Sequence, residues 1–160
     1  MPDKTAVRVA DGMMSAQMRV GYMTLLLFMA LSGFGQMPIF KRYYIADIPG
    51  LGWLAEFFIT HYIHYLAATL FLALTAYSII DYLLATRKSR QMTATGFVRS
   101  VLLAGILVSG IFLVVRNLAG SNFSPEFIIF LDLFHLGLAM VFLFVSLYCL
   151  VSKKQWTTIR

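Results

Sequence analysis

The stretch LAEFFITHYIHYLAATLFLALTAYSIIDYLL, residues 54–84, decides the fold class because it is apolar over more residues than one membrane crossing requires. A helix crosses the roughly 30 Å hydrocarbon layer in about 20 residues. Apolar segments of similar character occur at residues 20–37, 97–118 and 125–151. The sequence therefore predicts an all-α integral membrane four-helix bundle, a single domain over residues 1–160, and no internal repeat is evident.

The composition agrees with a membrane protein. With 60% hydrophobic residues, 12% charged residues and a mean hydropathy of +0.80, the chain has more apolar surface than a soluble domain of 160 residues can bury. Residues 1–20 lack the apolar run of a cleaved signal peptide, so we expect the first helix to act as the insertion signal. The single cysteine, Cys149, excludes an internal disulfide and a Cys-rich iron–sulfur or zinc site.

The basic residues predict the orientation of the helices. Ten of the 13 flank one side of the predicted bundle and three flank the other, which places both termini in the cytoplasm by the positive-inside rule. They lie at helix ends and form no separate domain, so nucleic acid is not an expected partner. The ten are Lys4, Arg8, Arg19, Arg87, Lys88, Arg90, Arg99, Lys153, Lys154 and Arg160, and the three are Lys41, Arg42 and Arg116.

Two connecting segments have informative patterns. Residues 39–52 mix aromatic residues and cations as interfacial segments do, so we expect them on the outer membrane face. The fourth helix opens with Ser124, Pro125 and Glu126, which supply a cap residue, a first-turn proline and a carboxylate near the positive end of the helix dipole.

Three histidines are the candidate metal ligands. His61 and His64 lie one turn apart in the second helix, and His135 lies at a matching depth in the fourth, about ten residues or roughly 15 Å from the helix start. Liganding side chains inside a bilayer are costly, and function is their default interpretation. We predict that His64 and His135 hold the iron of one low-spin, six-coordinate haem, bound without thioether links because no CxxCH motif occurs.

His61 is an alternative ligand because it shares a helix face with His64. His64 is favoured by its depth and by the room that Ala67 and Ala68 leave beside it. A propionate contact or a quinone hydrogen bond is the other role open to His61. The alternative to haem is that all three histidines form interhelical hydrogen bonds without a metal.

Small residues and one carboxylate complete the candidate site. Gly33, Gly35 and Ala68 leave space for haem contact, although ordinary helix packing also favours small residues. Asp132 lies one turn before His135, where a lone carboxylate is expensive. It has three possible roles: an ion pair with Arg116 or another outer cation, a hydrogen bond near the haem, or a proton acceptor for a quinol.

Several short motifs resemble the four-helix membrane cytochrome b subunits of respiratory complexes, the group of the formate dehydrogenase gamma subunit and the cytochrome b of nickel–iron hydrogenases. The resemblance covers most of the chain. Its motifs are Arg19-Val20-Gly21-Tyr22, Ser32-Gly33-Phe34-Gly35, Gly50-Leu51-Gly52, the His64 region, and His135 with its apolar run.

The resemblance implies a haem between the second and fourth helices, matching His64 and His135. The family usually carries a second haem near the inner face, but Tyr22 and either Tyr148 or Cys149 stand where its ligands belong, so one haem b is expected here. It follows that a quinone would approach the outer haem, where His61, Asp132 and the segment from Lys41 to Tyr44 offer a pocket.

The resemblance also implies a function. The chain would be an electron-transfer subunit in the bacterial inner membrane, passing electrons between the quinone pool and an iron–sulfur or multihaem subunit at the outer face. Catalysis on the primary substrate would belong to that partner. The alternative is a haem-free membrane anchor or assembly subunit of a larger complex; a transporter is weakened by the shortage of paired polar residues along a continuous path.

Overall fold

The computed structural model describes residues 16–37, 44 and 47–159, and the chain divides into two compact units, residues 1–86 and 87–160. Each unit contains one antiparallel helical hairpin. The polar N-terminal segment, half of the predicted interfacial segment including Lys41 and Arg42, and Arg160 lie outside the described residues. Their predicted roles therefore stay predictions, as does the packing of four helices into one bundle.

The first unit pairs α1 (Ala16–Gly35) with α2 (Phe57–Asp81). A short 3-10 turn at Gly52–Ala55 precedes α2, and a wide π turn at Tyr82–Thr86 follows it. The end of α1 packs closely on the 3-10 turn and the start of α2. A Cβ added to Gly35 would lie 3.0 Å from atoms of both Leu54 and Thr60, two side chains that are fully buried.

The second unit pairs α3 (Ala94–Val115) with α4 (Pro125–Val151). Both helices begin at a capping side chain, since Thr93 Oγ1 accepts a hydrogen bond from the backbone N–H of Gly96 and Ser124 Oγ from that of Phe127. The cap, proline and carboxylate at the start of α4 occupy the positions that the sequence indicated.

Two short strands close the second unit at the end where α3 begins and α4 ends. β1 (Arg90–Met92) pairs antiparallel with β2 (Thr157–Ile159), so that Arg90 is opposite Ile159. The sequence predicted helices only, so this two-stranded ribbon of β1 and β2 was not expected. It forms because the segments on either side of the hairpin meet there, with the Arg99 guanidinium 4.1 Å above the Trp156 ring.

The outward faces of the helices are apolar. Phe58, Leu84 and Phe144 are 84%, 80% and 64% exposed, and few residues of any one span are buried within the chain. Among the described residues, four helices are long and apolar enough to cross a membrane. This pattern suggests a multi-pass membrane protein, because such surfaces are favourable against lipid and unfavourable against water.

Candidate functional site: two Ser-Gly/His pairs

His135 on α4 is held by a serine of α3. Its Nδ1 atom lies 2.9 Å from Ser109 Oγ, which also lies 2.8 Å from the Gly105 carbonyl oxygen and 3.0 Å from that of Ile106. A hydroxyl has one proton and these carbonyls can only accept, so Ser109 donates to the backbone. From this hydrogen-bond network we infer that the ring donates from Nδ1–H and that Ser109 accepts.

The neighbouring glycine brings the ring against the backbone of α3. A Cβ added to Gly110 would lie 3.3 Å from His135 Cε1, tighter than ordinary contact. Ser109 itself is 2% exposed. The dipeptide Ser109-Gly110 therefore fixes the position of the ring and its tautomer together.

His64 on α2 has the same arrangement with Ser32 and Gly33 of α1. Its Nδ1 lies 3.1 Å from Ser32 Oγ, and that oxygen lies 2.6 Å from the Phe28 carbonyl oxygen and 3.3 Å from that of Met29. A Cβ on Gly33 would lie 3.4 Å from His64 Cε1. The serine again donates to its own helix and accepts from the imidazole.

The two hairpins are thus built on one pattern, which we call the Ser-Gly/His pair. The similarity extends along the second helix of each hairpin, where several residues recur 71 positions later. One is a buried phenylalanine on the histidine face, 2% exposed in α2 and 4% in α4. The recurring residues are His64, Ala68, Phe71, Leu72 and Tyr77, matched by His135, Ala139, Phe142, Leu143 and Tyr148.

The repeat was not evident in the sequence for two reasons. Most of its identical residues are apolar, so they resemble any membrane helix. The loops also differ in length, which places Ser32 and His64 farther apart in sequence than Ser109 and His135. The recurring Ser-Gly dipeptide followed by a histidine in the next helix is the signal that would have revealed both serines.

One turn before each histidine, the two hairpins differ. His61 Nδ1 lies 3.3 Å from Gln36 Oε1, and the His61 ring stacks on Phe57 with centroids 5.3 Å apart. At the equivalent place in the second hairpin, Arg116 Nη1 donates to both carboxylate oxygens of Asp132, at 2.9 and 2.8 Å. Of the three roles left open for Asp132, the structure contains the ion pair with Arg116.

The other predicted site residues have these positions. Ala68 is half-buried one turn after His64, and the close contacts of Gly35 are with Leu54 and Thr60. Near the opposite end of the helices, Tyr22 packs against Phe71, while Tyr148 is exposed and Cys149 is a buried free thiol. These positions leave the predicted haem contacts as predictions.

The chemistry of the pair suits a metal ligand. An imidazole that donates from Nδ1 carries its lone pair on Nε2, and metal-binding histidines commonly donate their other N–H to a neighbouring oxygen in this way. Among residues 16–37 and 47–159, no group of three or more His, Cys, Asp or Glu side chains is arranged to hold a metal ion. Bis-histidine haem ligation needs one such imidazole from each of two elements.

Comparisons with protein-family models, curated proteins and solved structures give no match for this chain. The family resemblance noted in the sequence therefore stays a prediction.

Proposed function

We propose that the chain is a haem b-binding membrane subunit that passes electrons between a quinone pool and a redox partner at the outer face of the bacterial inner membrane. The observation that supports this proposal is the recurrence of the Ser-Gly/His pair. Each hairpin holds one imidazole whose Nδ1 lies within hydrogen-bond distance of a serine hydroxyl, His64 in the first and His135 in the second, and this arrangement suits an iron ligand that binds through Nε2. In the proposal, these two rings ligate one iron.

Haem b, when bound by two histidines, supplies reversible one-electron transfer with both axial positions filled. In this proposal Ser32 and Ser109 each accept from Nδ1–H, which leaves the lone pair on Nε2 and restricts the rotation of the ring. Gly33 and Gly110 let each ring lie against the neighbouring backbone, so that the position of each ring within its own hairpin is restricted. Preorganised ligands lower the cost of binding.

His61 is the better candidate for a quinone contact. Its Nδ1 lies 3.3 Å from Gln36 Oε1, and imidazole and amide groups can donate to a quinone oxygen or accept from a quinol hydroxyl. Asp132 is already paired with Arg116, so we assign it to joining α3 to α4. In this proposal an iron–sulfur or multihaem partner carries the primary catalysis, and both termini lie in the cytoplasm because the basic residues favour that side.

The test is the absorption spectrum of the full chain, expressed with haem supply and purified in detergent. We expect sharp bands on reduction and a low-spin ferric signal. His64→Ala and His135→Ala should each lose that signal, whereas His61→Ala, one turn away on the same helix, should retain it. A parent protein without haem, or ligand variants that keep the bis-histidine spectrum, would refute the proposal.

A haem-free anchor is the second candidate, because the Ser–His hydrogen bonds also join two helices without a metal. It predicts a colourless parent protein. It also predicts that the two ligand variants lower the free energy of unfolding of the apoprotein without any spectroscopic change.

A further inference from the structure

We propose that the ribbon end of the second hairpin, residues 87–93 and 152–159, is a docking surface for the phosphodiester headgroups of anionic lipids. Four of its cations are exposed, Arg87 and Lys88 before β1 and Lys153 and Lys154 after α4. The sequence has no Asp or Glu in residues 87–100 or 152–160 that could neutralise them.

The fold brings these two basic segments together. β1 pairs with β2 in a register that sets Met92 opposite Thr157, and Thr93 Oγ1 hydrogen bonds to the carbonyl oxygen of Gln155 at 2.8 Å. Segments that are distant in sequence are therefore fixed at one end of the hairpin. The ribbon makes one basic surface out of two separate basic segments.

Two further arginines lie beneath this surface. Arg90 and Arg99 are each 6% exposed. Arg90 Nε donates to Thr157 Oγ1, and Arg99 lies over Trp156 while its Nη2 donates to the Lys154 carbonyl oxygen at 3.4 Å. Both guanidinium groups add positive potential near the exposed cations. Arg90 joins the two strands, and Arg99 joins the second segment to α3.

The opposite end of the same hairpin has a different charge balance. There Arg116 is paired with Asp132, and Glu126 lies in the first turn of α4. The net positive charge of this unit is therefore concentrated at the ribbon end. Because the ribbon directly adjoins the ends of two apolar spans, its cations lie at the depth of lipid headgroups, with Trp156 as an interfacial aromatic.

Quenching of Trp156 fluorescence tests the surface in the full chain reconstituted into lipid vesicles. Trp53→Phe leaves Trp156 as the only tryptophan, because the chain has two. Brominated phosphatidylglycerol is compared with brominated phosphatidylcholine at equal mole fraction. We expect stronger quenching by the anionic lipid, and a preference that weakens as sodium chloride is raised.

Lys88→Gln combined with Lys154→Gln removes one cation from each segment. Each cation near an anionic surface contributes roughly a factor of five to lipid affinity, so this variant should lose most of the preference. The matched control is Lys41→Gln with Arg42→Gln, which changes the net charge equally and should leave the preference intact.

Three results would overturn the inference: equal quenching of Trp156 by both lipids in the parent, an unchanged preference in the Lys88/Lys154 variant, or an equal loss in the control. Loss of the preference with inorganic phosphate, at an ionic strength where chloride has no effect, would assign the surface to a soluble phosphate instead. The inference does not depend on haem, so its outcome and that of the proposed function are independent.

Discussion

Removal of the Ser109 hydroxyl is the sharpest test of the Ser-Gly/His pair. In Ser109→Ala the Nδ1–H of His135 loses an acceptor at 2.9 Å in a position that is almost fully buried. The lost hydrogen bond contributes about 1 kcal/mol to stability. Loss of a hydrogen-bond partner of this kind usually lowers metal affinity by about 10–100-fold.

We therefore expect Ser109→Ala to bind haem about 10–100-fold more weakly than the parent, measured by titration of the apoprotein. The midpoint potential should rise, because an imidazole without an acceptor at Nδ1 is a weaker electron donor and stabilises ferric iron less. In the apoprotein, 15N NMR of the imidazole should show a loss of the Nδ1–H tautomer, a readout that needs no haem.

Two further variants separate the tautomer effect from the loss of any helix hydroxyl. Ser109→Thr keeps the oxygen and should restore the tautomer. Ser100→Ala removes a serine on the same helix whose hydroxyl bonds to the Gly96 carbonyl oxygen, and it should leave affinity and potential unchanged. Parent-like affinity, potential and tautomer in Ser109→Ala would refute the reasoning, whereas equal losses in Ser100→Ala would show that the effect is not specific to His135.

Two other predictions concern the stability of the second hairpin. Asp132→Asn should remove the ion pair with Arg116 and lower the free energy of unfolding in detergent by about 1 kcal/mol. The haem spectrum should not change. A double-mutant cycle with Arg116→Gln that shows no coupling energy would contradict this prediction. Gly96→Ala should cost about 1–3 kcal/mol and increase amide exchange in both strands, because the added Cβ would collide with the Trp156 carbonyl oxygen. The control is Gly137→Ala, because a Cβ added there meets nothing within 4 Å. This variant should be neutral or stabilising by up to about 1 kcal/mol. Equal losses of stability in both glycine variants would contradict the predicted collision at Gly96.

Long apolar segments were the most predictable part of the fold. The start of α4 was readable from Ser124, Pro125 and Glu126 because capping and dipole effects act within one helical turn. The ribbon was not readable, because β1 and β2 are three residues each and have no periodic pattern. Their pairing depends on the antiparallel hairpin that brings distant segments to the same end.

The candidate site was predictable only in part for a similar reason. His64 and His135 could be identified from the sequence because histidine is an unusual residue in a long apolar segment. Ser32 and Ser109 have the composition of ordinary packing residues, and their role depends on which carbonyl and which ring they face. That information exists only after two helices are placed side by side.

Comparison of the two hairpins bears on which histidine is the ligand in α2. His64 corresponds to His135, since the Nδ1 of each contacts the serine of a Ser-Gly dipeptide, whereas His61 corresponds to Asp132. A pair of equivalent ligands would therefore use His64, which the sequence favoured by its depth and by the room beside Ala67 and Ala68. The turn before each histidine differs between the hairpins, because His61 has a neutral amide as its partner and Asp132 has a cation. Any chemistry that differs between the two hairpins is therefore expected at that turn.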